Sequence, residues 1–317
     1  RQIAGAGSAF GAEAGQMSVA YTPVGWNRNK IVYDIVVAAV AVAYLAVFTS
    51  VARRVSPDAR FDDATIEMRA YGSCAFLMLS AILCIGPLAR LDRRFLPLLY
   101  NRRHFGVMTC AVAIMHARHV LAWYFGFSPV DPYVALLSSN TNYASIPGFP
   151  FEAFGVAALF ILIILAATSH DFWLNFLTPP VWKALHMSIY GAYACVVAHV
   201  CFGALLTPQA TALHAVVPLC ACLVAGLHVA AGAREAQRDS IRPAAGWIKV
   251  GPPDVIAEGC GVVVSIDGKD SIAVFRHENR FSAVANACKH QNGPLGEGRI
   301  VDGCITCPWH GYQYRLE

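Results

Sequence analysis

Apolar residues follow two patterns along this 317-residue chain. Between about residues 31 and 233 they form long runs broken by short polar clusters. From 246 to 317 they alternate with polar residues over short stretches. Six runs, 31–52, 68–90, 103–127, 152–169, 181–206 and 209–232, reach or approach the ~20 apolar residues that cross a bilayer as a helix. The fourth is short, and the third contains Arg118. Trp26 and Tyr33 before the first run, with Trp123 and Tyr124 closing the third, suit the aromatic belts of a membrane interface. The connection 128–151 has no Lys or Arg but holds Pro129, Pro132, Pro147 and Pro150. It predicts a loop with a short amphipathic piece at Tyr133–Leu137. Val262–Ile266 and Ile272–Phe275 predict strands. The expected fold class is therefore a membrane all-α six-helix bundle plus a small all-β domain. A tail (1–30), the bundle (31–233), a linker (234–245) and the β domain (246–317) make up the chain.

Composition supports this division. The chain is 56% hydrophobic and only 14% charged, against about 25% charged in soluble proteins. A net charge of +4 is too small to suggest a nucleic-acid partner. The basic residues sit instead at the ends of the apolar runs. With the N-terminus placed inside, inner segments carry Arg28, Lys30, Arg90, Arg93, Arg94, Arg102, Arg103, Lys183, Arg234, Arg238 and Arg242. Outer loops carry Arg53, Arg54, Arg60 and Arg69, mixed with Asp58, Asp62, Asp63 and Glu67. This bias places both termini in the cytoplasm of a multi-pass protein, with a bacterial inner membrane as the expected location. The first thirty residues hold no apolar run, so no signal peptide is expected there. Gly5, Gly7 and Gly11 have the spacing G-x-G-x-x-x-G with no preceding strand, which fails the dinucleotide fingerprint. Of eleven cysteines, Cys74, Cys84, Cys110, Cys195, Cys201, Cys220 and Cys222 lie in apolar stretches and read as packing residues rather than a disulfide framework.

The β domain carries the sharpest chemical signal. Cys288-Lys289-His290 and Cys307-Pro308-Trp309-His310 give C-x-H-x16-C-x2-H. Each loop supplies one thiolate and one imidazole, the donor set of a Rieske [2Fe–2S] centre, in which cysteines hold one iron and histidines the other. Tetrahedral zinc accepts the same four side chains, but zinc fingers keep the two cysteines together and the two histidines together. Cys304, three residues before Cys307, reads as packing.

Histidine is the second signal. Ionisable residues inside membrane spans are costly and mark function. The third run contains His104, His116 and His119, and the fifth contains His186 and His199. His104 to His116 rises about 18 Å along a helix and His186 to His199 about 19.5 Å. Two parallel helices with matched spacing can clamp two stacked haems, His104 with His186 on the inner side and His116 with His199 on the outer side. His119 is the alternative to His116, and His228 the alternative to His104. The alternative is interfacial placement or hydrogen bonding to neighbouring helices, which is the default for His170 and His214. Arg102, Arg103 and Arg118 lie near the proposed haem edges, where they either pair with propionates or set topology.

Two segments resemble a known family. Arg102-Arg103-His104-Phe105-Gly106, continuing to Met115-His116, is similar to the third helix of ferric-reductase-like membrane domains. Thr168-Ser169, then Trp182-Lys183-Ala184-Leu185-His186 and Ala198-His199, resembles the later helices of the same domains. The similarity spans about 68–232 and lies nearest the haem-bearing membrane subunit of bacterial periplasmic methionine-sulfoxide reductase systems, with NADPH oxidases and iron-chelate reductases more distant. It implies a six-helix b-haem bundle and carries over His116, His186 and His199; His104 has no general counterpart in it. Residues 246–317 resemble Rieske domains, from Trp247 through Gly293-Pro294-Leu295 and Gly298. The extra cysteine pair of quinol-oxidising members is missing, with Asn292 or Gly293 and Trp309 in its place. Tyr312 stands where those proteins have a serine, and Tyr314 is either a hydrogen-bond donor or a core residue. The resemblance is thus to the ferredoxin-like, oxygenase-type branch, with a lower potential implied by the lost serine hydroxyl. Final strands are expected to lie beyond Glu317.

Together these readings predict transmembrane electron transfer between a cytoplasmic [2Fe–2S] cluster and two b-type haems, to or from a quinone or outer-face acceptor. No flavin or nicotinamide module is recognisable, so a soluble reductase or ferredoxin is the expected donor. The alternative is a non-catalytic electron-transfer or structural subunit of a larger respiratory or photosynthetic complex. A terminal oxygenase is disfavoured, because no second domain supplies a 2-His-1-carboxylate iron site.

Overall fold

The computed structural model describes residues 2–4, 28–55, 62–99, 101–169, 173, 177, 179–206, 211–239, 247–266, 270–288, 293–301, 303–308 and 312–316. The helices are α1 (Arg28–Val55), α2 (Asp63–Leu91), α3 (Arg102–Phe127), α4 (Pro132–Ser138), α5 (Phe151–Ala167), α6 (Pro179–Met187), α7 (Ile189–Phe202) and α8 (Thr211–Asp239). Among the described residues, five stretches are long and apolar enough to cross a membrane, and α5 is a shorter apolar helix. With the family match given below, this makes the chain a multi-pass membrane protein.

Two compact units are distinguished. The first comprises Arg28–Gly86 and Asn101–Leu227. In it α5 packs along α7 and α3 meets α5. Buried Leu79, Ile82, Leu162, Leu165, Thr109, Cys110, Ala192 and Tyr193 mark the helix faces turned to one another. Polar bonds fix the register: Tyr44 Oη donates to Ser73 Oγ (2.9 Å), and Ser80 Oγ lies 3.1 Å from Tyr193 Oη. The fifth predicted run is not one helix. It breaks at Ser188 between α6 and α7, where the Ser188 hydroxyl donates to Leu185 O at 2.6 Å, a local bond that competes with the helical ladder. The predicted piece at Tyr133–Leu137 is α4, started by Asp131, whose carboxylate accepts from Tyr133 N and Val134 N, with Pro132 in the first turn. Both are standard helix-start chemistry.

The second unit contains the described parts of 87–100 and 228–317 with the segment Gln2–Ala4. Within the predicted linker at 234–245, α8 continues to Asp239. The run Ala230-Ala231-Gly232-Ala233-Arg234-Glu235-Ala236-Gln237-Arg238 is rich in strong helix formers, so the helix outlasts its apolar stretch. Within this unit Arg234 donates to Leu91 O. β1 (Gln2–Ala4) pairs antiparallel with β2 (Trp247–Lys249). β3 (Gly261–Ile266), β4 (Asp270–His277) and β5 (Arg280–Ala285) form one antiparallel sheet; β6 (Arg299–Val301), β7 (Cys304–Thr306) and β8 (Gln313–Arg315) form another. Glu278 and Asn279 turn β4 into β5 with φ of 48° and 61°, the left-handed pair that a two-residue hairpin requires. Both predicted strands are present, in β3 and β4.

Candidate functional site

In the β unit, the two cysteines of the predicted cluster lie in the core. Cys288 and Cys307 are 1% and 2% exposed and pack with Ala273, Phe275, Leu295 and Ile305. Each begins a loop closed by a backbone bond: Cys288 N donates to Gly293 O at 2.9 Å, and Cys307 N donates to Tyr312 O at 2.7 Å. Two loops of equal span thus start from adjacent buried positions. His290 and His310 lie on those loops but outside the described residues. Tyr314 Oη is 3.1 Å from Cys288 Sγ, while its ring packs against the core cluster. Both readings of Tyr314 therefore hold together. Gly298 is a position of close approach, since an added Cβ would lie 2.1 Å from Thr306 O.

In the helical unit, His116 of α3 and His199 of α7 face each other with ring centroids 6.3 Å apart and planes 76° apart. Two imidazoles bound through Nε2 to one metal at ~2.0 Å per bond have ring centres about 6.2 Å apart. The observed separation is compatible with two imidazoles sharing one ion. Their other nitrogens point away from each other. His116 Nδ1 is 2.9 Å from Met68 O on α2, and His199 Nδ1 is 3.0 Å from Phe151 O on α5. A carbonyl partner makes Nδ1 the protonated nitrogen and leaves Nε2 as the donor atom.

His186 of α6 is held likewise. Its Nδ1 lies 3.1 Å from its own helix's Trp182 O, and its ring stacks on Trp182 at 3.6 Å. Its Nε2 is buried without a hydrogen-bond partner among the described residues. Such an orphaned nitrogen is costly in an apolar interior unless a ligand takes it up. His104 Nδ1 is 2.7 Å from Asp34 Oδ2 of α1, and Asn101 Nδ2 donates to Oδ1 of the same carboxylate at 2.5 Å. A carboxylate on Nδ1 is the support that metal-binding imidazoles commonly have.

The remaining histidines differ. His119 stacks on Tyr71 at 4.9 Å, with Nδ1 3.5 Å from Glu67 Oε2, and the ring that meets His199 belongs to His116. His228 is half-buried on α8, in the unit that contains the β-sheets. His170 lies outside the described residues. Asp34 and Glu152 were not recognised from sequence, although a carboxylate inside an apolar run is itself a signal. Glu152, 6% exposed, accepts from Tyr124 Oη (3.2 Å), Ser139 Oγ (3.1 Å) and Asn140 Nδ2 (2.5 Å). It ties the α4 loop to the start of α5.

Family models match both parts of the chain. The ferric reductase like transmembrane component matches residues 71–197, and the Rieske [2Fe-2S] domain matches residues 246–317. The chain joins a ferric-reductase-like transmembrane domain to a Rieske [2Fe-2S] domain. Curated relatives agree on the Rieske part. They include the anthranilate 1,2-dioxygenase ferredoxin subunit of Burkholderia cepacia, 35% identical over 20% of this chain and 58% of the relative. A Rieske domain-containing protein of Homo sapiens is 39% identical over 14% of this chain and 31% of its own length. The alkene monooxygenase ferredoxin component of Xanthobacter autotrophicus is 35% identical over 16% and 42%. The chain thus spans less than two thirds of each of these relatives. No solved structure gives a significant match. The Rieske match supports a [2Fe–2S] cluster over zinc at the cysteine–histidine loops.

Proposed function

We propose that this protein carries electrons across a bacterial inner membrane between a cytoplasmic Rieske cluster and two b-type haems, exchanging them with a quinone or an outer-face acceptor. Cys288, His290, Cys307 and His310 are the cluster ligands in this reading. His116 and His199 would hold the outer haem, and His186 with His104 the inner one. When bound, these groups supply one-electron carriers with little need for proton chemistry at the protein. The residues of the chain orient the imidazoles, fix their tautomers and exclude water. A soluble reductase or ferredoxin is the donor on the cytoplasmic side, where the basic loops place the Rieske domain.

The 6.3 Å separation of the His116 and His199 rings, with both Nδ1 atoms tied to carbonyls, carries this reading. Purified protein should show b-haem absorbance and, on reduction, a Rieske EPR signal. His199→Ala should remove one of the two haems, halving the haem-to-protein ratio, and leave the Rieske signal intact. Wild-type protein without b-haem, or a variant with full haem content, would overturn the proposal.

A further inference from the structure

The supports of His116 and His199 are copies of each other. Met68 O accepts from His116 across 48 residues, and Phe151 O accepts from His199 across 48 residues. Four residues after each carbonyl stands a glycine, Gly72 and Gly155. A Cβ on Gly72 would lie 2.9 Å from His116 Cε1, and one on Gly155 would lie 2.9 Å from His199 Nδ1. Each carbonyl is the one the helical ladder assigns to that glycine's N–H. The imidazole reaches it by lying across the turn where a side chain would otherwise stand.

The correspondence extends beyond the ligands. Met68, Gly72, Leu79, Ile82, Thr109, Cys110 and His116 recur 83 residues later as Phe151, Gly155, Leu162, Leu165, Ala192, Tyr193 and His199. Of the four positions between glycine and histidine, only Leu79/Leu162 is identical, yet all four are buried in both copies. The first copy runs through α2 and α3, the second through α5 and α7. Such an equal offset in two helix pairs is what two parallel repeats would give. The match ends toward the other histidines: the same offset relates His186 to Arg103, one residue before His104.

We infer that Gly72 and Gly155 are positioning residues, two equivalent sockets of an internal repeat that set the tautomer and ring angle of His116 and His199. The inference rests on the proposed binding of one haem between these two histidines. The sockets hold the rings 76° apart. A steep angle between axial imidazoles gives ferric low-spin haem a highly anisotropic EPR spectrum with a large maximal g value. The Nδ1–H···O=C bonds make both imidazoles stronger donors, which favours the ferric state and lowers the potential.

The test uses full-length protein with Gly72→Ala and Gly155→Ala. Gly126→Ala and Gly226→Ala serve as controls, because a Cβ there meets nothing within 4 Å. Each socket variant should shift the large-g signal and raise the midpoint potential of the same haem, or lose that haem alone while the Rieske signal persists. The controls should match wild type. Wild-type spectra and potentials in both socket variants overturn the inference. If the variants do not accumulate, pulsed EPR on wild-type protein decides. Both axial imidazoles must show remote nitrogens with hydrogen-bonded, exchangeable protons, and their absence overturns it. Absence of bis-imidazole low-spin haem from wild type instead refutes the functional reading beneath it.

Discussion

Tyr314→Phe removes one hydroxyl and leaves the ring that packs on the Rieske core. The lost group is the Oη placed 3.1 Å from Cys288 Sγ. A hydrogen bond to a charged acceptor is worth ~1.5–3 kcal/mol, but only the part that is stronger in the reduced, more negative cluster moves its potential. Taking that part as ~1 kcal/mol gives a shift of about 45 mV for a one-electron couple, at 59 mV per tenfold change in equilibrium. The sign is fixed. The bond stabilises negative charge on sulfur, so removing it disfavours reduction and lowers the midpoint. The assay is a redox titration of the Rieske EPR signal in the intact protein, with the haem potentials followed optically as internal controls. A fall of roughly 30–60 mV in the cluster alone is expected. A midpoint unchanged within about 10 mV would mean that the hydroxyl does not act on a cluster-bound sulfur, and would refute the reasoning.

Further outcomes follow from the helical unit. His104→Ala should remove the inner haem, and Asp34→Asn should retain it with a raised potential, because an amide supports the His104 imidazole less strongly than the carboxylate at 2.7 Å; optical potentiometry reads both, and two unaltered haems in His104→Ala would exclude His104 as a ligand. Glu152→Ala leaves three donors without their acceptor and should cost about 1–3 kcal/mol. It should appear as a lower melting temperature in detergent and faster proteolysis within the 131–150 loop.

How far the sequence could be read varies with the element. α1, α2, α3 and α8 are legible because a spanning helix needs little beyond a long apolar run, and tertiary contacts do not change that requirement. The start of α4 is legible for another local reason, the Asp131-Pro132 pair. The break at Ser188 is less so, since a single serine inside an apolar run is ordinarily tolerated. The continuation of α8 to Asp239 was missed because hydropathy ends before helix propensity does. The two cysteine–histidine loops stand out through spacing alone, since a cluster needs its ligands on short, stiff loops.

Spacing also singled out His104, His116, His186 and His199, but it left His119 as a rival of His116 and His228 as a rival of His104. Sequence periodicity places a histidine on a helix without saying which neighbouring carbonyl will take its Nδ1. That depends on where α2 and α5 lie, and it makes Met68 O and Phe151 O visible only once the helices are packed. The same holds for Gly72 and Gly155: each is one small residue among many in an apolar helix until an imidazole is seen across it. The sequence by itself determined the division into a membrane bundle and a β domain, and the donor side chains each offers, because hydrophobicity and donor chemistry are properties of single side chains. Only the tertiary structure decided which imidazoles face each other, at what angle and against which carbonyl, because those are relations between helices dozens of residues apart.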